Sequence, residues 1–162
     1  MNVFATIVAG VTVFVFGQIL LKLVIEPIQN LREAIAEVAF HLANDHAVIH
    51  NAETVKKEQA EAVTSNLRQL GARLVSSQQL VPFYTSLRKV FSLPDEVNIG
   101  KAAQQLFQIP NHMYGSCPQK YERLDLYRIE VCELLQLQDP NNNGIPKQEL
   151  VDAIRESQKK NA

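Results

Sequence analysis

The chain has 162 residues, of which 46% are hydrophobic and 20% are charged, and its net charge is −1. This balance favours a folded domain over a disordered tail, and the length suffices for one domain with an anchor. Proteins that hold duplex nucleic acid through its phosphates carry a basic excess, which this chain lacks. The composition therefore excludes duplex nucleic acid from the expected partners.

The first element along the chain is an uncharged run from Val3 to Leu21. As a helix it would rise about 28 Å, which is close to the hydrocarbon thickness of a bilayer. A core helix would show a polar stripe, and a secretory signal peptide would start with basic residues and end at a small-residue cleavage site. This run has none of these features, and Lys22 and Glu26 follow it. The sequence predicts a transmembrane anchor over residues 1–24, surrounded by the lipid bilayer.

Basic residues lie on only one side of the predicted anchor, since Lys22 and Arg32 follow it and none precedes it. The positive-inside rule then places the N-terminus outside and residues 25–162 in the cytoplasm as a helical domain. The cytoplasm is reducing, so we expect both cysteines, Cys117 and Cys132, to be free thiols.

Small residues recur on one face of the predicted anchor. Gly10 and Gly17 are seven residues apart, and such a face lets helix backbones approach closely. Two interpretations are open: an interface between copies of the chain, or the ordinary abundance of small residues in membrane helices.

An apolar stripe follows Pro27, a residue that either kinks the helix or starts a new one. Its members recur at spacings of three and four: Ile28, Leu31, Ile35, Val38 and Leu42. One interpretation is a coiled-coil seam, which the anchor would align between copies because two heptads are too few alone. The other is an amphipathic helix that packs on its own domain. The first interpretation, with the glycine face, predicts a homo-oligomer.

The remaining elements are also predicted to be helical, because no strand-like alternation persists. Residues 44–51 are expected to end a helix or form a loop. Further helices are expected at about 53–75, 79–91, from 95 onward and 119–137, with a turn-rich link over 110–118 and a last helix opening at Pro146. The fold class is therefore all-α, with one transmembrane helix before a multi-helix cytoplasmic domain.

Two segments carry metal-ligand residue types. Residues 139–144 resemble the start of an EF-hand loop, but Glu149 comes one residue early for the bidentate carboxylate and Leu150 takes its place. A helix stop before Pro146 explains the same residues, so we expect no calcium site. His46 and His50 would share a helical face but lack a metalloprotease glutamate, so polar surface is expected there.

Motifs of catalysis and of cofactor binding are absent from the sequence. It contains no Walker loop, no dinucleotide-binding glycine pattern and no Gly-x-Ser-x-Gly elbow. We therefore expect no enzymatic activity and no cofactor.

The stretch from Gly17 to Gln29, with its Ile-Glu-Pro-Ile-Gln segment, resembles the start of a group of short uncharacterised bacterial inner-membrane proteins. The similarity extends to about Leu106, through residues 80–84 and 93–94. It implies a single-pass protein of the bacterial inner membrane. Residues 113–162 look like a distinct addition to that pattern.

Two functions remain as hypotheses. By architecture alone, the chain is similar to small membrane effectors of bacterial antiphage defence, including accessory proteins of type III CRISPR systems that bind cyclic oligoadenylate. That analogy predicts an oligomeric protein whose cytoplasmic domain senses a cyclic nucleotide or a protein. The alternative is a membrane anchor or scaffold that recruits a cytoplasmic protein partner.

Overall fold

A computed structural model describes residues 3–114, 119–138 and 146–160 of the chain. Every regular element in these ranges is helical, which confirms the all-α prediction. In chain order they are α1 (Val3–Leu20), a π-helical turn (Leu21–Ile25), α2 (Glu26–Asn44), α3 (His46–His50), α4 (Lys57–Gln79), α5 (Tyr84–Phe91), α6 (Glu96–Met113), α7 (Lys120–Leu134) and α8 (Lys147–Lys160).

The apolar N-terminal helix continues without a break into the domain. The π-helical turn joins α1 to α2, and the Glu26 backbone N–H donates to the Leu21 carbonyl, five residues back. Pro27 has no N–H to donate and its ring crowds the preceding turn, so the wider π turn accommodates it at the start of α2. One helix long and apolar enough to span a membrane is found in the described ranges, and its most apolar window is fully exposed.

The apolar stripe of α2 faces the core of its own domain. Ile28, Leu31, Val38 and Leu42 are 0–2% exposed, and Ile35 is partly buried against the same core. Helix α2 packs on α4, α4 on α6, and α6 on α7. The coiled-coil interpretation of this stripe is therefore wrong. Its residues are buried by packing within one chain, as in an amphipathic helix of a globular domain.

Helix α4 continues to Gln79, and α5 begins only at Tyr84, whereas the sequence predicted one helix to end near residue 75 and the next to begin near residue 79. Ser77 and Gln78 are buried, which keeps the end of α4 on the core, and Phe83 is left-handed, so no helix passes through it.

Further boundaries also differ from the sequence prediction. Residues expected to form a loop make the short helix α3, because Val48 and Ile49 are buried against the core. Helix α6 runs through Pro110 to Met113 where a link was expected, and α4 begins at Lys57 instead of near residue 53. Proline in a helix interior costs about 3 kcal/mol. Burial of Ile109 and Met113 on the same face offsets that cost.

The start of α6 follows the predicted pattern. Asp95 precedes the helix in extended conformation, and its side chain accepts a hydrogen bond from the Val97 N–H at 3.4 Å. Farther along the chain, α7 buries Leu124 and Val131 in the common core. Helix α7 therefore shares one core with the preceding helices.

We expect Val38→Ala to destabilise the domain. Val38 is fully buried, so losing two methyl groups and leaving a cavity costs about 2 kcal/mol. The matched control is Val97→Ala in α6, which is 61% exposed and should change stability by less than about 0.5 kcal/mol. Denaturant unfolding of the detergent-solubilised chain measures both, and equal stability of the two variants would contradict the intramolecular packing of the stripe.

Candidate functional site

Two histidines of α3 point toward α7. They are one helical turn apart, and their ring centroids lie 4.4 Å from each other. The apolar neighbours Val48 and Ile49 anchor the other face of this short helix in the core. His46 and His50 are therefore held half-buried between two helices, which corrects the expectation that they form polar surface.

The residue that sequence reasoning missed is Asp125, on α7. Its Oδ1 lies 3.2 Å from His50 Nε2 and 3.9 Å from His46 Nε2. The Tyr121 ring stacks on His50 with centroids 5.7 Å apart and planes 7° apart, which covers one side of the cluster. The single signal available in the sequence was the placement of Tyr121 and Asp125 one helical turn apart.

A buried arginine also binds the Asp125 carboxylate. Arg128 is 5% exposed at its side chain and donates from Nη2 to Asp125 Oδ1 at 3.1 Å. Burial alone would raise the pKa of the Asp125 carboxyl, but the hydrogen bonds and charges of His50 and Arg128 outweigh it and lower that pKa. The carboxylate is therefore ionised at neutral pH and links α3 to α7.

The cluster has the donor types and spacing of a metal centre. One ligand atom each from His46, His50 and Asp125 lies within 4.8 Å of the other two. Ligands about 2.1 Å from a tetrahedral zinc ion are roughly 3.4 Å apart, and the two His–Asp distances lie on either side of that value. The Arg128 charge on the same oxygen opposes a cation, so the arrangement suits a metal only in competition with that ion pair.

A second feature is an apolar cavity of about 530 Å³ where α1 meets the domain. The helix side is formed by the last turns of α1 and the π turn, and the opposite side by the loop that joins α4 to α5. The residues that matter here are Phe16, Leu20, Leu23, Leu80, Pro82 and Phe83. The cavity therefore lies at the junction of the candidate span and the domain.

Other residues singled out from the sequence are dispersed. Gly10 and Gly17 lie on exposed α1 with no other part of the chain within 4 Å of a Cβ placed on them. A third histidine, His41, lies outside the histidine cluster, and its Nδ1 lies 2.8 Å from Asp45 Oδ2. Cys132 is buried as a thiol. The EF-hand-like segment 139–144 and Cys117 lie outside the described residues.

Comparisons of the chain with protein-family models, with curated proteins and with solved structures found no match.

We expect Asp125→Asn to destabilise the domain at neutral pH by about 1–3 kcal/mol, because the ion pair between the Asp125 carboxylate and the buried Arg128 guanidinium is lost. A carboxyl with a lowered folded pKa contributes stability above its unfolded pKa, about 3.9, and loses that contribution as pH falls through the folded value. The gap between wild type and variant should therefore shrink below about pH 4.

Unfolding free energies measured across this pH range give the result. The matched control is Asp152→Asn. Asp152 is exposed, and its contact with Arg155 is long, at 4.0 Å, and therefore weak. This control should match wild type at every pH. If Asp125→Asn and wild type have the same free energy of unfolding at pH 7, the cluster does not stabilise the fold.

Proposed function

We propose that this chain is a non-enzymatic, single-pass protein of a bacterial inner membrane whose helical domain serves as a cytoplasmic scaffold for a protein partner. The main support for this proposal is that one continuous helix runs from the apolar segment into the core of the domain. The eighteen residues of α1 place apolar side chains on every side, with none of the most apolar window buried by protein. A surface of that kind is stable in hydrocarbon and unfavourable in water.

The continuity of the helix supports a retained anchor over a cleaved signal sequence. Signal peptides end at a cleavage site between small residues. Here the residues after the apolar run form the π turn and the first turn of α2, where Ile28 is already buried in the core. A cut in this region would remove the beginning of a core helix.

The scaffold alternative is better supported than an oligomeric effector. The effector hypothesis depends on several copies acting together, and one of its two interfaces, the stripe of α2, is internal. The Gly10 and Gly17 face remains as a prediction. We therefore propose that the exposed surface of the domain recruits the protein partner, and that recruitment does not require self-association.

A polyanionic ligand such as cyclic oligoadenylate is not favoured by the polar cavity of about 250 Å³ between α6, α7 and α8. Lys147 in this cavity lies 2.7 Å from Glu133 and 3.6 Å from Glu130. Burial would lower the Lys147 pKa, but these two glutamates outweigh it and raise that pKa. The lysine charge is thus balanced by the protein itself, which leaves little attraction for phosphate.

We expect Phe14→Lys to reduce membrane insertion. A lysine near the middle of a span costs about 3 kcal/mol for insertion. Phe40→Lys is the matched control, because Phe40 is exposed on α2, beyond the span. Carbonate extraction of membranes should release part of the Phe14→Lys protein and leave wild type and Phe40→Lys in the pellet.

Two further measurements test the orientation and the retention of the apolar run. A periplasm-dependent reporter fused after residue 162 should be silent, and the intact mass of the membrane-bound chain should match the full sequence. Extraction of the wild type by carbonate, or a mass lacking the apolar run, would contradict the anchor.

Ligand sensing by the domain is a second candidate function, favoured by the His46–His50–Asp125 cluster. The cluster bridges α3, which directly follows the anchored helix, to α7. A cation bound there would fasten these two helices together and would stabilise the domain at the end of α2 that lies away from α1.

For this candidate we expect Zn²⁺ to raise the melting temperature of the full chain and His50→Gln to remove that increase. His112→Gln is the matched control, because His112 lies on α6 and bonds to the Gln108 carbonyl instead. Calorimetric titration with Zn²⁺ gives the stoichiometry. If zinc leaves the wild-type melting temperature unchanged, or shifts all three proteins equally, the cluster is a structural ion pair only.

A further inference from the structure

The loop between α4 and α5 turns large apolar side chains away from the domain. Leu80 is 66% exposed and Phe83 is 85% exposed, while their neighbours Val81 and Tyr84 are buried. A soluble surface tolerates scattered apolar residues, but two this large at one loop tip, beside an apolar cavity, form a continuous patch.

The fold holds this tip in place. The Tyr84 hydroxyl donates to the Pro94 carbonyl at 2.8 Å, and burial raises the pKa of that hydroxyl to about 12, so it remains a donor. Arg32 on α2 donates to the Phe91 carbonyl at 2.7 Å, which ties the end of α5 to the anchored helix. Phe83 itself adopts a left-handed φ of 48°, unusual for a bulky residue. The contacts of the neighbouring residues therefore hold the backbone of Phe83 in this conformation, with the side chain exposed.

The tip lies level with the end of the candidate span. Phe83 and Leu80 line the same cavity as Phe16 and Leu20 of α1. Phe16 is five residues inside the end of the uncharged run, which corresponds to about 8 Å along a helix. If α1 crosses a bilayer, the loop tip therefore reaches the depth at which acyl chains begin.

We propose that the Leu80–Phe83 loop is embedded in the cytoplasmic leaflet of the bilayer that α1 crosses. Lipid acyl chains then fill the cavity between this loop and α1. This inference rests on the proposed function, since it requires α1 to span the membrane. Lipid is the occupant because the cavity is continuous with the lipid-facing surface of α1. Lys22 also lines the cavity, and its ammonium group lies 3.9 Å from the Glu26 carboxylate. Both side chains are more than half exposed, so this surface pair is weak and Lys22 can reach headgroup phosphate. The domain is thus attached to the membrane at two points.

The absence of tryptophan from the sequence allows a direct test. Single tryptophans are introduced by Phe83→Trp, Leu80→Trp, Phe16→Trp and Phe40→Trp, each at an exposed side chain of the full chain. The proteins are reconstituted in phosphatidylcholine vesicles with and without brominated acyl chains, which quench tryptophan on contact. Circular dichroism melting verifies that each variant folds.

We expect brominated lipid to quench Phe83→Trp and Leu80→Trp to a degree comparable with Phe16→Trp, and to leave the Phe40→Trp emission unchanged. Quenching of Phe16→Trp alone would overturn the embedded loop and leave the anchor intact. No quenching of Phe16→Trp would overturn the anchor itself, and the loop with it. Blue-shifted but unquenched emission from Phe83→Trp and Leu80→Trp would show that protein, such as a second copy, covers the loop instead of lipid.

Discussion

The unbroken helix through the π turn at Leu21–Ile25 is the constraint on which the rest of the structure depends. A hinge at Pro27 would have let the apolar segment and the domain move independently. The π turn instead absorbs the missing N–H of the proline within a continuous helix, so the orientation of α1 fixes that of α2. Because α2 buries its stripe against α4, the orientation of α1 relative to the whole domain is fixed.

The two candidate sites follow from this constraint at opposite ends of α2. At the end next to α1, α2 carries Arg32, whose hydrogen bond to the Phe91 carbonyl holds α5 near the end of α1. At the far end, Asp45 closes α2 and opens α3, which presents its two histidines to α7. A change at the histidine cluster and a change at the apolar loop would therefore act at the two ends of α2.

The sequence was sufficient for features set by local pattern. The uncharged run predicts α1, the spacing from Ile28 to Leu42 predicts an amphipathic helix, and Asp95 predicts the start of α6. The sequence was insufficient where one pattern fits two packing partners. An apolar stripe with the period of Ile28 to Leu42 can pack on its own domain or on another copy of the chain. Asp125 is far from His50 in the chain, so their contact required the packing of α7. Burial of Ile109 overrode the helix-ending preference of Pro110.

The distance between α1 and the far end of α2 reports whether the helix is continuous through the π turn. Spin labels at Val13→Cys and Phe40→Cys, both exposed, are measured by pulsed electron paramagnetic resonance in bilayer nanodiscs, with both native cysteines replaced by serine. A continuous helix predicts one narrow distance distribution centred near about 40 Å. A broad or two-peaked distribution, or one centred well below that value, would show that the helix bends or breaks at the π turn.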